Sequence, residues 1–170
     1  MRATPILVLA LSACTTSDAP PATTVAGQSA DFEFLTPYGA PTLPFSPAVR
    51  VGNLLILSGQ IGTTGPDNQL IAGGIGPETR QALENIKDVL ERSGSSMDRV
   101  VKCTAMLADM SEWAAMNAVY VEYFPVNKPA RSALGANGLA LGAKVELECW
   151  AMTGDAVAAG ARADESNPKR

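Results

Sequence analysis

Histidine is absent from all 170 residues of the chain, and aromatic residues make up only 5% of it. Without histidine there can be no Ser-His-Asp triad, no Cys-His pair and no histidine-ligated zinc or iron. Any general base must then be a carboxylate, an amine, a thiol or a phenol. Because the chain has 17 acidic residues, a carboxylate is the first candidate.

Basic residues are in the minority. The 13 Lys and Arg residues leave a formal net charge of −4 and a pI near 4.8. A broad nucleic-acid surface needs a basic face to neutralise phosphates, so this composition argues against one. The hydrophobic fraction of 46% is typical of a globular core. The length suits a single domain, since domains usually hold about 100–150 residues.

No hydrophobic run near the N-terminus is long enough to span a bilayer, which takes about 20 residues. Residues 1–13 instead combine one Arg, an apolar run at 6–11 and small residues, the layout of an export signal. The stretch Leu-Ser-Ala before Cys14 resembles the lipobox of bacterial lipoproteins, in which that cysteine is acylated. A mis-assigned start or a frayed apolar tail is the alternative interpretation.

Residues 14–31 are rich in Thr, Ser, Ala and Pro and have no periodicity, which predicts a flexible tether. We therefore expect an exported, periplasmic protein that contacts the membrane through a lipid on Cys14 only. Thr15 follows the cysteine, and by resemblance to Gram-negative sorting patterns this favours the outer membrane. Residues 32–152 form the expected domain, and 153–170 read as a disordered tail.

The domain shows alternating strand and helix signals. A hairpin is predicted around Gly52 and Asn53, followed by a glycine-rich loop over 62–76 with a short strand at 69–71. Pro77 is expected to open a helix that ends before Gly94. The remaining predicted elements are a strand at 100–107, a helix from Ser111 or Glu112 to Phe124, and strands at 130–136 and 144–152.

The helix after Pro77 places its apolar residues on one stripe, which predicts that they are buried: Ala82, Leu83, Ile86, Val89 and Leu90. The second helix has an apolar face that we interpret as packing: Trp113, Met116, Val119, Tyr120 and Phe124. A single sheet with both helices on one face would bury these stripes in two layers. The predicted fold class is therefore α+β.

Alternation along the last strand assigns Val145, Leu147, Cys149 and Ala151 to the core face. The opposite face carries Glu146, Glu148, Trp150 and Met152, which is unusual for a plain solvent surface. Arg131 stands alone in an apolar stretch and shares a strand face with Ala133 and Gly135. A surface Arg paired with a surface Glu, worth under about 1 kcal/mol, is the alternative interpretation.

Cys103 and Cys149 both fall on core faces by the same alternation. An export route permits a disulfide between them. Buried free thiols are the commoner case for isolated strand cysteines. The sequence leaves both possibilities open.

Several stretches together resemble the RidA/YjgF family of reactive-intermediate (enamine/imine) deaminases. They are SGQIG at 58–62, TRQALENIKDVLERSGSSMDRVVKCTAMLADM at 79–110, NAVYVEYF at 117–124, PARSAL at 129–134 and VELECWA at 145–151. The similarity runs from about residue 45 to residue 151.

This resemblance implies a chorismate-mutase-like α+β fold, with a single mixed sheet and two helices on one face. It also implies a homotrimer with active sites in the clefts between subunits. Arg131 occupies the position of the family arginine that binds the substrate carboxylate, and Glu146 that of the glutamate that activates water. Ser58 and Asn117 match positions that line the pocket. No cofactor and no metal is implied.

Two positions depart from the family pattern. Phe45 stands where members often have a tyrosine near the pocket mouth, so the ring is kept and the hydroxyl is lost. Ala133 stands where many active members have a cysteine, two residues after the arginine. The loop at 137–143 also differs from the family's usual turn. Arg131 and Glu146 are both present, so the minimal catalytic pair is intact.

The expected function is hydrolytic deamination of 2-imino or enamine acids, of the 2-iminopropanoate or 2-iminobutanoate type, to 2-oxo acids and ammonia. The expected partners are this small substrate and further copies of the chain, with no nucleic acid. The alternative is a non-catalytic exported protein that binds small carboxylates on the same fold, motivated by Phe45, Ala133 and export. An RNA-directed nuclease is disfavoured by the acidic pI of 4.8.

Overall fold

A computed structural model of the chain describes residues 32–39, 42–65 and 67–154. The predicted signal at 1–13, the tether at 14–31 with Cys14, and all but the first two residues of the predicted tail lie outside these ranges. Within them, no helix is long and apolar enough to cross a membrane.

Nine strands and two α-helices make up the described domain. In chain order they are β1 (Phe32–Leu35), β2 (Ala48–Val51), β3 (Leu54–Leu57), β4 (Gln60–Ile61), β5 (Thr63–Thr64), β6 (Gln69–Leu70), α1 (Ile75–Arg92), β7 (Val100–Leu107), α2 (Trp113–Tyr123), β8 (Ala130–Gly135) and β9 (Val145–Met152).

The main sheet is mixed, with the strand order β1-β2-β3-β9-β7-β8, and β4 pairs with the other end of β9. Every pairing in it is antiparallel except that of β7 with β8, which is parallel. The strands β5 and β6 form a separate hairpin. The predicted mixed sheet with two helices is confirmed, and the β5–β6 hairpin adds a second, small sheet. Strands β1, β4 and β5 are too short or too exposed to have been predicted from the sequence pattern.

The hairpin of β2 and β3 turns where it was predicted. Val51 pairs with Leu54, and Gly52 between them has a φ of +58°. This left-handed backbone is accessible to glycine at little cost. The turn brings Leu55 and Leu57 into the core, where both are almost fully buried.

Helix α1 begins at Ile75, two residues before the predicted start at Pro77. Pro77 still lies in the first turn, where a backbone N–H has no partner within the helix, so its ring is tolerated. The predicted apolar stripe of this helix is buried throughout. Glu78, in the same turn, is only 6% exposed. Its carboxylate accepts a hydrogen bond of 2.7 Å from the backbone N–H of Lys144 and so connects α1 to the start of β9.

Helix α2 starts at Trp113 after a 3-10 turn at Met110–Glu112. Met116, Tyr120 and Phe124 are buried as predicted, but Trp113 is 41% exposed. The interpretation of the whole apolar face as packing is therefore wrong for Trp113. This residue lies at the first turn of the helix, beyond the edge of the core.

The core lies between the helices and one face of the sheet. On β9, the predicted inward residues Val145, Leu147, Cys149 and Ala151 are all fully buried. Cys103 on β7 pairs directly with Cys149, and the two sulfurs form a disulfide of 2.01 Å. Of the two possibilities that the sequence leaves open, the structure has the disulfide, because the strand register places the two side chains opposite each other on the same face.

Candidate active site

Arg131 projects from β8 towards the helices. It is in register with Cys103 of the parallel strand β7, and registered residues of parallel strands share a face. Its guanidinium carbon lies 4.5 Å from the centre of the Tyr120 ring and 5.8 Å from that of Trp113. Arg131 therefore rests on two aromatic rings of α2.

Arg131 differs from the paired arginines of the domain. Arg50, Arg80 and Arg92 each form an ion pair with a carboxylate on the surface. Among residues 32–39, 42–65 and 67–154, no carboxylate lies within ion-pair distance of Arg131. Its positive charge is thus available to an anion that enters from outside.

Arg131 opens onto a cleft of about 310 Å³. The lining residues are Asn117, Tyr120, Val121, Phe124, Lys128, Pro129 and Arg131. The side-chain oxygen Oδ1 of Asn117 and the hydroxyl of Tyr120 are buried, and neither has a hydrogen-bond partner among the described residues. Burial raises the pKa of Tyr120 to about 12 although Arg131 acts to lower it, so the hydroxyl stays protonated at neutral pH. We call Arg131, Asn117 and Tyr120 the arginine half-site.

Glu146 lies elsewhere, on the opposite face of the sheet. It is flanked on β9 by Val145 and Leu147, both of which point into the core, and alternation turns the Glu146 side chain the other way. Ile61 of β4 is its backbone partner. The carboxylate lies against Gly59, where the Cβ of any other residue would overlap Glu146 Oε1. Gly59 therefore makes room for this carboxylate.

Ser58 lies near Glu146 through its neighbour Gly59 and is linked to the segment of Phe45. Ser58 precedes Gly59, and its hydroxyl donates a hydrogen bond of 2.7 Å to the backbone oxygen of Ser46. This bond connects the end of β3 to the segment that carries Phe45, whose side chain is 51% exposed. We call Glu146, Ser58 and Phe45 the glutamate half-site.

The structure thus brings the predicted residues together in two groups rather than one. Arg131 and Asn117 lie at the α2–β8 edge, and Glu146 and Ser58 lie near the β4–β9 pair on the other face. Strand β7 separates β8 from β9. Ala133 shares the face of Arg131, opposite Ala105 of β7, and packs against the core. A single chain does not join the two half-sites.

The contact of Tyr120 and Trp113 with Arg131 differs from the packing role that their helical spacing predicts. A usable signal was present. Tyr120 follows Asn117 by three residues and Trp113 precedes it by four, the spacings that place side chains on one face of a helix. Lys128 was also missed, since it lies in the irregular segment before β8.

The sequence and the fold have many relatives among known proteins. The family described as Endoribonuclease L-PSP matches residues 38–153 of the chain. The chain is 48% identical to Protein HMF1 of Saccharomyces cerevisiae over 111 residues, which are 65% of this chain and 85% of that protein. It is 39% identical to the 2-iminobutanoate/2-iminopropanoate deaminase of Homo sapiens over 111 residues, 65% of this chain and 81% of that enzyme.

Solved structures agree. The yeast protein YEO7 superposes with a TM-score of 0.67 at 42% identity, covering 72% of this chain and 99% of that one. The YjgF gene product of E. coli superposes with a TM-score of 0.62 at 31% identity, covering 66% and 91%. The fold is RidA-like, and the chain belongs to the RidA/YjgF (Endoribonuclease L-PSP) family. The predicted enzyme class, a deaminase-like hydrolase, is confirmed, because relatives about 40% identical to the chain are named as deaminases.

Proposed function

We propose that the protein hydrolyses 2-imino acids of the 2-iminopropanoate or 2-iminobutanoate type to 2-oxo acids and ammonia. The observation that carries this proposal is the guanidinium of Arg131, which forms no ion pair within the described part of the chain and lies beside a cleft of about 310 Å³. A planar guanidinium binds a carboxylate through two parallel hydrogen bonds, which fixes the adjacent imine carbon in position. Relatives about 40% identical that are named for this activity support the choice of substrate.

Glu146 supplies the proton transfers in this proposal. As the water oxygen bonds to the imine carbon, the Glu146 carboxylate takes a proton from that water and passes it to the imine nitrogen, which gives a tetrahedral amino alcohol. Glu146 then takes the proton of the new hydroxyl group as the carbonyl of the 2-oxo acid forms, and delivers it to the nitrogen as the carbon–nitrogen bond breaks and ammonia leaves. A positioned carboxylate of this kind is worth about 10²–10⁴-fold in rate.

The reaction needs both half-sites, so we propose that a second copy of the chain completes each site in a homotrimer. Support comes from the opposite faces that Arg131 and Glu146 occupy. It also comes from apolar side chains left exposed on the sheet face that carries Glu146, including Phe34 at 63% and Trp150 at 37%. Contact with another copy would cover this apolar surface.

We further propose export and lipid attachment at Cys14, with anchoring to the outer membrane. The Cys103–Cys149 disulfide supports export, since disulfides persist in oxidising compartments and are rare in the cytosol. Metabolic labelling with a palmitate analogue is expected to mark the full-length protein and to leave Cys14→Ala unmarked. An unlabelled full-length protein would remove this part of the proposal.

The enzymatic proposal is tested by ammonia release from 2-iminopropanoate generated in place by an amino-acid oxidase. Arg131→Ala and Glu146→Gln are expected to lose the acceleration that the wild type gives. Matched controls are Arg80→Ala, which breaks a surface ion pair with Glu122, and Glu148→Gln, two residues along the same strand face. Both controls should keep the wild-type rate. A wild type no faster than Arg131→Ala contradicts the proposal.

The non-catalytic alternative makes a different prediction. Phe45 has no hydroxyl to offer a substrate, and Ala133 offers no thiol, so the chain could bind small carboxylates without turning them over. Calorimetry with 2-oxobutanoate separates the two functions. Arg131-dependent binding without ammonia release would favour the binding protein, and absence of binding would remove it.

A further inference from the structure

Trp113 and Tyr120 form the surface on which the Arg131 guanidinium rests, at 5.8 Å and 4.5 Å between the guanidinium carbon and the ring centres. We propose that these two rings, here called the aromatic pair, position Arg131 for the substrate carboxylate. They hold the guanidinium without neutralising it. This inference rests on the proposed function and adds positioning residues to it.

The chemistry of the contact favours such a role. An aromatic ring attracts a cation through its π face, and that contact uses the flat face of the guanidinium. The five N–H donors lie around the edge of the same plane and stay available to an incoming carboxylate. An acidic partner would hold the arginine equally well, but it would occupy those donors and cancel the charge. Among the described residues, Arg131 has no such partner.

The surroundings of the aromatic pair support positioning rather than plain core packing. Tyr120 is 6% exposed, yet its hydroxyl has no hydrogen-bond partner in the part of the chain that the structure describes, so the ring and not the hydroxyl accounts for its contact with Arg131. Phe124 packs on the Tyr120 ring with 4.7 Å between ring centres, which restricts its movement. Trp113 is 41% exposed and contributes its ring from outside the core.

The experiment compares two substitutions of Tyr120 by their KM and kcat for 2-iminopropanoate. Tyr120→Leu removes the ring, and we expect KM to rise about three- to thirtyfold while kcat changes less, in line with the loss of a cation–π contact. Tyr120→Phe keeps the ring and is expected to restore KM to within about twofold of the wild type. Trp113→Leu and Trp113→Phe should differ in KM in the same way but by less, because the Trp113 ring lies farther from the Arg131 guanidinium than the Tyr120 ring does.

Tyr123→Leu is the matched control. It removes a tyrosine from the same helix, but the Tyr123 hydroxyl bonds to Glu84 on α1 and not to the cleft. Its KM should equal that of the wild type. If Tyr120→Leu does not fold, as judged by circular dichroism, the exposed Trp113 still gives the comparison.

The outcomes separate this inference from the proposed function. An Arg131-dependent enzyme whose KM is the same in Tyr120→Leu and Tyr120→Phe overturns the aromatic pair alone. If the wild type binds 2-oxobutanoate without turnover, Tyr120→Leu and Tyr120→Phe are compared by their Kd for this acid instead of by KM. A wild type that neither binds this acid nor releases ammonia overturns both.

Discussion

Arg131 and Glu146 project from opposite faces of one sheet, and strand β7 lies between the strands that carry them. Arg131 shares the face of the buried Cys103, whereas Glu146 alternates with the buried Val145 and Leu147. A small 2-imino acid cannot contact both side chains of the same chain. The proposed reaction therefore depends on the contact between chains.

This separation predicts complementation between two inactive variants. Arg131→Ala keeps an intact glutamate half-site, and Glu146→Gln keeps an intact arginine half-site. In a mixed trimer, a site is complete when each neighbour supplies its intact half. Random mixing of equal amounts should therefore restore about a quarter of the wild-type ammonia release.

Each variant assembled alone is the control and should stay inactive. Co-expression with two affinity tags, followed by purification on both, selects the mixed assemblies, in which one site of three is complete, so their ammonia release should be about a third of the wild-type value. If tagged mixed trimers form but remain inactive, the two residues do not act across one interface.

The buried disulfide predicts a large dependence of stability on redox state. Cys103 and Cys149 are 46 residues apart in sequence. Closing a loop of that length lowers the conformational entropy of the unfolded chain and so raises its free energy by about 4 kcal/mol. Urea unfolding should give a lower free energy of unfolding, by about 2–4 kcal/mol, for the reduced protein than for the oxidised one. The double variant Cys103→Ala with Cys149→Ala should not respond to reductant. Two titratable thiols at these positions in the native mature protein would contradict the prediction.

Much of the fold could be predicted because burial leaves a periodic signal. The stripe on α1 and the inward face of β9 were both identified from spacing alone, since a long amphipathic element must repeat its apolar residues towards the core. The start of α1 could not be predicted in this way. Gly73 and Gly74, whose φ values are +113° and +83°, lie directly before the first helical residue, Ile75, and turn the chain into the helix there.

The candidate site was predicted less completely, and the reason is geometric. Alternation assigns a residue to one of two faces of its own strand, but it does not relate the faces of strands that are not neighbours. The sequence therefore identified Arg131 and Glu146 without showing that they point apart. Only the parallel register of Arg131 with Cys103 relates them. Tyr120 was missed because a buried aromatic residue in a helix is usually packing.

Tyrosine ionisation predicts a loss of stability at high pH. Tyr38, Tyr120 and Tyr123 are the 3 tyrosines of the chain, and burial is the main cause that raises the pKa of each from 10.0 to about 12. A hydrogen bond to Asp88 raises the pKa of Tyr38 further, and a hydrogen bond to Glu84 does the same for the pKa of Tyr123.

A raised pKa means that the folded state holds its phenol protons at a pH where the unfolded state has lost them. This contribution to stability is therefore complete below pH 10 and is lost as the pH rises towards 12. Urea unfolding should show the free energy of unfolding falling through that range, and tyrosinate absorbance should rise late. The double variant Tyr38→Phe with Tyr123→Phe should show a shallower fall. An equally steep fall in that variant would assign the effect to other groups.

Gly59 predicts a way to disturb Glu146 without changing it. A methyl group at this position would overlap Glu146 Oε1, so Gly59→Ala must displace the carboxylate from its present position. We expect kcat for 2-iminopropanoate to fall by at least about tenfold, because general acid–base catalysis depends on the position of the carboxylate. KM should change less, since Arg131 is untouched.

The matched control is Gly76→Ala. Its Cβ would meet only Val119 Cγ2 at an ordinary 3.9 Å, so its kcat should equal that of the wild type. Equal kcat values in Gly59→Ala and the wild type would mean that the reaction does not use Glu146 where the structure holds it.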